Sequence, residues 1–131
     1  MMDYAGRVAQ ADTYPKLLRL NAREHGGDIA LREKDFGLWR VFTWNDYQTR
    51  MHDFALGLVE LDLGRGDVIG IIGDNRPDWV SAEIATHAIG AMSLGLYRDV
   101  LDEEAAYLLN YGEAKLVFRS EERRVGKECR P

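Results

Sequence analysis

The sequence predicts an α/β protein, a partial layered sheet of mostly parallel strands with flanking helices and an N-terminal β-hairpin. Residues 68–73 form an apolar, largely β-branched run that lacks the alternation of a half-exposed strand, which predicts a strand covered on both faces. Strand patterns recur at residues 93–97 and 115–118, each preceded by a helical segment. This alternation of strands and helices is typical of a parallel sheet with right-handed crossover connections.

The N-terminal quarter predicts a loose lead-in followed by one amphipathic helix. Residues 1–11 carry no periodic apolar pattern. Asp12 or Thr13 can cap a helix that has Pro15 in its first turn, and the sequence His25-Gly26-Gly27 ends it. The apolar stripe of this helix predicts a surface position; it consists of Tyr14, Leu17, Leu18 and Ala22.

A hairpin and a long helix are expected next. Residues 29–32 and 39–44 have strand composition and flank a polar turn at residues 34–37. Thr43 and Asp46 have the spacing of a capping box, which predicts a helix start. We expect Gly64 to end this helix, whose apolar residues recur at steps of four and three: Tyr47, Met51, Phe54, Leu58 and Leu61.

The α/β unit that follows contains a helix of a different kind. Asp74 or Asn75 can cap it and Pro77 suits its first turn, yet its apolar residues cover most of its sides. Such a helix packs between two layers, and residues 1–118 offer little to build the second one. We therefore expect part of its packing to come from protein absent here. A last helix is predicted at residues 102–111, with Gly112 as its end.

Charge and cysteine content exclude several classes of protein. Residues 1–118 carry twelve Lys/Arg and nineteen Asp/Glu, a net charge of −7 without a basic patch, so no nucleic-acid partner is expected. The single cysteine, Cys129, permits neither a disulfide framework nor a cysteine metal site and favours a cytoplasmic setting. The sequence predicts no transmembrane segment and no signal peptide.

Residues 119–131 differ sharply from the rest of the chain. They hold eight charges and one large aliphatic residue, Val125, which predicts a disordered, solvated tail. Their sequence also resembles the conceptual translation of a common sequencing adapter joined in frame to a truncated gene, so we expect this tail to be non-native.

The motifs that could carry chemistry all have simpler structural interpretations. The glycines around residues 64–73 lie before or within a strand, whereas a dinucleotide fingerprint needs them after it. The histidines at 25, 52 and 87 are too widely spaced for a metal site, and His87 is expected to be a hydrogen-bonded core residue. The acids at 102–104 favour a helix start, and the three tryptophans are expected in the core or at an interface. The sequence therefore predicts no catalytic, cofactor-binding or metal-binding residue.

Three stretches, in order, carry a family resemblance: residues 42–47 (FTWNDY), residues 73–79 (GDNRPDW) and residues 89–97 (IGAMSLGLY). Together they resemble the N-terminal subdomain of the AMP-forming acyl-CoA synthetases, within the adenylating superfamily. The second stretch is most similar to the long-chain fatty acyl-CoA ligase branch. Arg98 departs from the proline that many relatives have after the third stretch.

The resemblance implies an enzyme that activates a carboxylic acid with ATP and Mg²⁺ to an acyl-adenylate and transfers the acyl group to CoA. The family's phosphate loop, nucleotide-binding segments and catalytic lysine have no counterpart here, so we expect residues 12–118 to be an incomplete N-terminal subdomain, inactive and without bound cofactor. Its partner would be the missing remainder of the parent enzyme, which is expected in the cytoplasm, with peripheral membrane contact left open. Two alternatives remain: a ligase for an aryl or other acid, and a freestanding α/β interaction module.

Overall fold

The computed structural model describes residues 1–120, which form five helices and five strands. The predicted disordered tail lies outside the described residues except for Arg119 and Ser120, and Arg119 belongs to the last strand. In chain order the elements are α1 (Tyr4–Gln10), α2 (Tyr14–His25), β1 (Ile29–Asp35), β2 (Leu38–Thr43), α3 (Trp44–Glu60), β3 (Val68–Ile72), α4 (Pro77–Ala88), β4 (Met92–Leu96), α5 (Asp102–Tyr111) and β5 (Ala114–Arg119).

The strands form two separate sheets, as the fold class predicts. β1 and β2 pair antiparallel around a turn at Phe36 and Gly37, where both residues have positive φ. The second sheet has the strand order β4-β3-β5, and both neighbours run parallel to β3. Because β3 is the central strand, its last four residues are buried, and the prediction of a strand covered on both faces is confirmed.

One face of the parallel sheet carries the main core. Leu58 of α3, Ile69 of β3 and Ala85 of α4 are all at most 1% exposed and belong to one cluster, to which Leu18 of α2 also contributes. The rings of Phe54 and Phe118 meet edge to face at 5.5 Å, which holds α3 against β5. α4 therefore lies between the sheet and α2 and α3, and the expectation that it is buried on most sides is confirmed. The expectation that this chain offers little to build its second layer is wrong, because α2 and α3 form that layer.

The opposite face of the sheet is covered by α5 alone among the described elements. Ala105 packs with Ile72 and Leu96, and Leu109 lies directly over Gly70. A β-carbon built at Gly70 would come within 2.5 Å of the Leu109 side chain. The glycine in β3 thus serves close helix-to-sheet packing, as its position within the strand predicts.

The prediction of a loose N-terminus is wrong, because residues 4–10 form a helix. Asp3 caps this helix by accepting a hydrogen bond from the Gly6 amide at 2.8 Å. α2 then holds it, through an ion pair between Arg7 and Glu24 and a hydrogen bond from the Tyr4 hydroxyl to Asn21. A helix held by polar contacts does not need apolar residues at helical spacing. The sequence pattern therefore gave no indication of α1.

The predicted helix starts at Thr13 and Thr43 are confirmed, and both threonines accept a backbone N–H bond. At Thr43 the capping box is complete, since Asp46 accepts in return from the Thr43 amide at 2.9 Å. The predicted end of α3 at Gly64 is wrong. The helix stops at Glu60, and Asp62, with φ 62°, takes the left-handed conformation that a glycine commonly supplies after a helix.

The start of α4 differs from the prediction as well. Its N-cap is Arg76, and neither Asp74 nor Asn75 caps it, because no side chain accepts a capping hydrogen bond at this helix start. The Asp74 carboxylate accepts a hydrogen bond from Arg98 at 2.8 Å instead. Smaller shifts occur elsewhere: β4 lies one residue earlier than predicted, and β1 and β5 are longer.

Candidate functional site

A crevice of about 420 Å³ opens at the carboxyl edge of the parallel sheet. Its walls are the ends of β3 and β5 and the first turns of α4, with Ile72, Trp79 and Ser120 among the lining residues. The carboxyl edge is where open α/β sheets usually bind ligands, since strand ends and helix N-termini converge there. This crevice is therefore the place to look for chemistry.

Four charged residues line the crevice, Asp74, Arg76, Asp78 and Arg119, and arginines beside the crevice pair with its two carboxylates. Asp74, after β3, pairs with Arg98, after β4, at 2.8 Å. Asp78, in the first turn of α4, pairs with Arg50 of α3. Each carboxylate thus has an arginine beside it, and these pairs tie loops and helices together. Within residues 1–120, no hydrogen bond joins the Ser120 hydroxyl of the crevice to a base, so the arrangement contains no activated nucleophile.

The Arg98 and Asp74 pair is a feature that the sequence did not reveal. The two residues are 24 positions apart, and only the parallel register of β3 and β4 brings the loops after them together. In the sequence, Arg98 stands out only because many members of the resembling family have a proline at this position. Strand register is not encoded in the spacing of neighbouring residues, so the sequence carries no local signal for this ion pair.

Trp79 forms an apolar wall of the crevice. A β-carbon at Gly95 would lie 3.1 Å from the indole ring, so the glycine leaves room for the tryptophan. The indole Nε1 is buried and makes no hydrogen bond to the described part of the chain. Trp79 is only partly buried as a residue, in keeping with a core or interface position.

The other two tryptophans have different surroundings. Trp44 packs beside Tyr47, with 6.3 Å between ring centroids, on the main core. Trp39 is 66% exposed on the hairpin, so a core position is wrong for it. A two-stranded sheet covers little of its own surface, so a strand residue such as Trp39 keeps one side in solvent.

The histidines are dispersed, as predicted. His87 Nε2 lies 3.0 Å from the Ser93 hydroxyl, and its ring stacks on Tyr14 with centroids 6.4 Å apart. The prediction that it is hydrogen-bonded is confirmed, but the residue is half-buried rather than core. Within residues 1–120, no cluster of three or more His, Cys, Asp or Glu could hold a metal ion.

The perturbed carboxylates have structural causes away from the crevice. A hydrogen bond from Lys115, at 2.6 Å, and one from the Gly64 amide lower the pKa of Asp67. This contact joins the beginnings of β3 and β5, at the edge of the sheet opposite the crevice.

The acids at 102–104 occupy the first turn of α5, as predicted, and suit the positive end of its dipole. No described helix is both long and apolar enough to span a membrane.

Comparison with protein families gives a match over residues 18–130 to the model of the AMP-binding enzymes. A long-chain-fatty-acid–CoA ligase, ACSBG2 from Mus musculus, is 24% identical over 115 residues, which cover 88% of this chain and 17% of that protein. An acyl-CoA ligase, sidI from Beauveria bassiana, is 30% identical over 115 residues, 88% of this chain and 19% of its own length. The chain thus spans less than a fifth of these two relatives.

Solved structures share the fold at low sequence identity. The fatty acid AMP ligase of Legionella pneumophila superposes with a TM-score of 0.81 and 12% identity, covering 89% of this chain and 21% of that one. The anthranilate CoA ligase AuaEII, solved with anthranoyl-AMP, gives a TM-score of 0.74 at 19% identity, covering 80% and 20%. The Klebsiella oxytoca NpsA N-terminal subdomain gives 0.72 at 17% identity, covering 81% and 27%.

Proposed function

The chain belongs to the AMP-binding enzyme family, and from that premise we propose that it is the N-terminal portion of an ATP-dependent acyl-CoA synthetase. The observation that carries this proposal is the family match over nearly the whole chain, combined with the small share of each relative that the chain spans. In the proposed parent, a carboxylic acid reacts with ATP to form an acyl-adenylate and pyrophosphate, and the acyl group then passes to the CoA thiol.

This portion acts as a scaffold in the proposal. Its hydrophobic clusters place β3, β4 and β5 in register and hold α4 between the layers. In this proposal the described residues bind neither ATP nor Mg²⁺. Arg50 and Arg98 beside the crevice are joined to carboxylates, and residues 1–120 hold no cluster of metal-ligating side chains. The reacting groups would come from the remainder of the parent, and the chain alone would be inactive.

A long-chain fatty acid is the favoured substrate class. Support comes from the ACSBG2 ligase, whose name gives that class, and from residues 73–79, which resemble this branch. In the structure these residues form the end of β3, the following loop and the first turn of α4. We expect the parent to act in the cytoplasm.

An aryl acid is the second candidate substrate. The observation in its favour is the likeness in fold to the anthranilate ligase and to the NpsA subdomain, which was also solved with 3-hydroxybenzoyl-AMSN.

A freestanding α/β interaction module is the remaining alternative. Its support is the exposed apolar surface, which includes Leu101, Tyr107 and Tyr111.

The test is to recover the native gene and extend it past the codon for Phe118. The account expects a continuous frame with a phosphate-loop lysine downstream, and a purified parent that releases pyrophosphate with ATP and palmitate and then forms palmitoyl-CoA. Activity with anthranilate and none with palmitate would favour the aryl alternative. A stop codon soon after residue 118, with a folded product, would favour the interaction module.

A further inference from the structure

A groove of about 240 Å³ lies between α1 and α2 and is lined by four cationic side chains. These are Arg7 of α1 and Lys16, Arg19 and Arg23 of α2. The other described lining residues are uncharged: Gln10, Ala11 and Leu20. The expectation that this acidic chain lacks a basic patch is therefore wrong at this groove, whose cations come from two different helices.

The carboxylates beside the groove engage only part of its positive charge. Asp12 lies 2.7 Å from the Lys16 ammonium, and Glu24 lies 3.2 Å from Nε of Arg7. Both acids are absent from the described lining of the groove. They hold two of the four cations in place and leave the two remaining arginines largely unengaged.

Arg19 and Arg23 retain most of their hydrogen-bonding capacity. Arg23 Nε is 3.9 Å from a carboxylate oxygen of Glu24, which is too far for a hydrogen bond. Arg19 has no ion-pair or hydrogen-bond partner within residues 1–120. Each guanidinium carries five N–H donors in a planar fork, and both side chains are exposed at the groove. The groove thus offers two open forks to an acceptor.

The spacing of the α2 cations does not favour the helix itself. Lys16, Arg19 and Arg23 follow one another at steps of three and four, which makes them neighbours on the helix surface. Like charges at these spacings destabilise a helix. Arg23 gains from the helix dipole because it lies in the last turn, whereas Arg19 lies in the middle of α2. A bound anion would relieve this repulsion.

A second groove, of about 400 Å³, continues the positive surface. Lys16 lines both grooves, and Arg65 and the half-buried His87 also line the second one. No described carboxylate lines this second groove. Arg65, like Arg19, has no ion-pair or hydrogen-bond partner in the part of the chain that the structure describes. Positive charge therefore extends over two adjoining concave surfaces.

We propose that the α1–α2 groove binds the phosphate groups of a ligand, with Arg19 and Arg23 as the main donors. A guanidinium fork matches two phosphate oxygens, and the Lys16 ammonium adds a point charge. The phosphate can belong to a soluble phosphate compound or to a lipid headgroup, which share this chemistry. The groove shares no described lining residue with the crevice, so this inference goes beyond the proposed function and does not depend on it.

Isothermal titration calorimetry of the 131-residue chain with inorganic pyrophosphate, at low ionic strength, tests the soluble source. We expect saturable binding that weakens as NaCl is added, because salt screens exposed charges. Arg19→Gln and Arg23→Gln should each weaken binding at least about tenfold. Arg32→Gln is the matched control, since it removes an exposed arginine of β1 outside the groove, and it should bind like wild type.

Sedimentation with phosphatidylcholine vesicles, prepared with and without phosphatidic acid, tests the lipid source. Binding only to the vesicles that contain phosphatidic acid, lost in R19Q and R23Q and kept in R32Q, would assign the phosphate to a headgroup. The proposal is overturned if neither probe binds. It is equally overturned if R19Q and R23Q bind both probes as wild type does.

Thermal melting separates a binding role of Arg19 from a structural one. R19Q should melt no lower than wild type, because it removes a like-charged neighbour and breaks no ion pair of the described residues. Arg19→Lys keeps the charge without the fork and should recover binding only in part. A clear fall in the melting temperature of R19Q, with pyrophosphate binding unchanged, would make Arg19 a structural residue and contradict the proposal.

Discussion

Asp46 shows how a single carboxylate contributes to this fold. The Thr43 amide, and next the Thr43 side chain, stabilise its charged form and lower its pKa from the ordinary 3.8. A lowered pKa in the folded state means that the stabilisation is fully present above the ordinary value and is lost as pH falls from that value through the lower pKa of the folded state. The capping box therefore makes α3 sensitive to acid.

Replacing Asp46 by Asn should reduce that sensitivity. The wild-type melting temperature should fall more between pH 7 and pH 3 than that of Asp46→Asn, as followed by circular dichroism. Asp53→Asn, at an exposed site on the same helix, is the matched control and should retain the wild-type pH dependence. An identical pH dependence in D46N and wild type would show that the carboxylate bond contributes nothing.

Two glycines should respond to alanine with opposite signs. At Gly70 an added methyl group meets Leu109 at 2.5 Å, and such overpacking costs about 1–3 kcal/mol. At Gly57, within α3, nothing lies within 4 Å, so alanine should stabilise by about 0.5–1 kcal/mol. Urea unfolding of both variants measures this. A destabilised G57A or a neutral G70A would contradict the packing described.

At the scale of elements, α3 contributes most of its stability through one side. Leu58 is 1% exposed and Leu56, two residues earlier, is 64% exposed. Leu58→Ala should therefore lower the free energy of unfolding by about 2–5 kcal/mol. Leu56→Ala should change it by less than about 0.5 kcal/mol. Similar losses in the two variants would mean that the helix is packed in another rotation.

The elements that could be predicted are those with a local signal. The capping box at Thr43, the apolar run of β3 and the Gly112 end of α5 each lie in a few neighbouring residues, and all three are confirmed. α1 was missed because its stabilising contacts are polar and come from α2. The crevice charges were missed for a related reason: the pairing of Arg98 with Asp74 depends on strand register, which no local pattern encodes.

At the scale of the whole molecule, the apolar surface predicts how the isolated chain should behave. Leu61, beyond α3, and Leu101, Tyr107 and Tyr111, at or on α5, are each at least 60% exposed, and exposed apolar surface promotes association. We expect the 131-residue chain to bind a hydrophobic dye and to associate as its concentration rises, as measured by light scattering. A monomer that melts cooperatively and leaves the dye unbound would contradict the inference that protein is missing.

The family assignment motivates our central proposal, that this chain supports an adenylating active site whose reacting groups lie elsewhere. The most direct measurement is pyrophosphate release by the purified 131-residue chain with ATP, Mg²⁺ and palmitate, beside the full-length parent as a positive control. The account predicts release by the parent and none above the blank for the 131-residue chain. Release by the 131-residue chain that depends on both ATP and palmitate would contradict it.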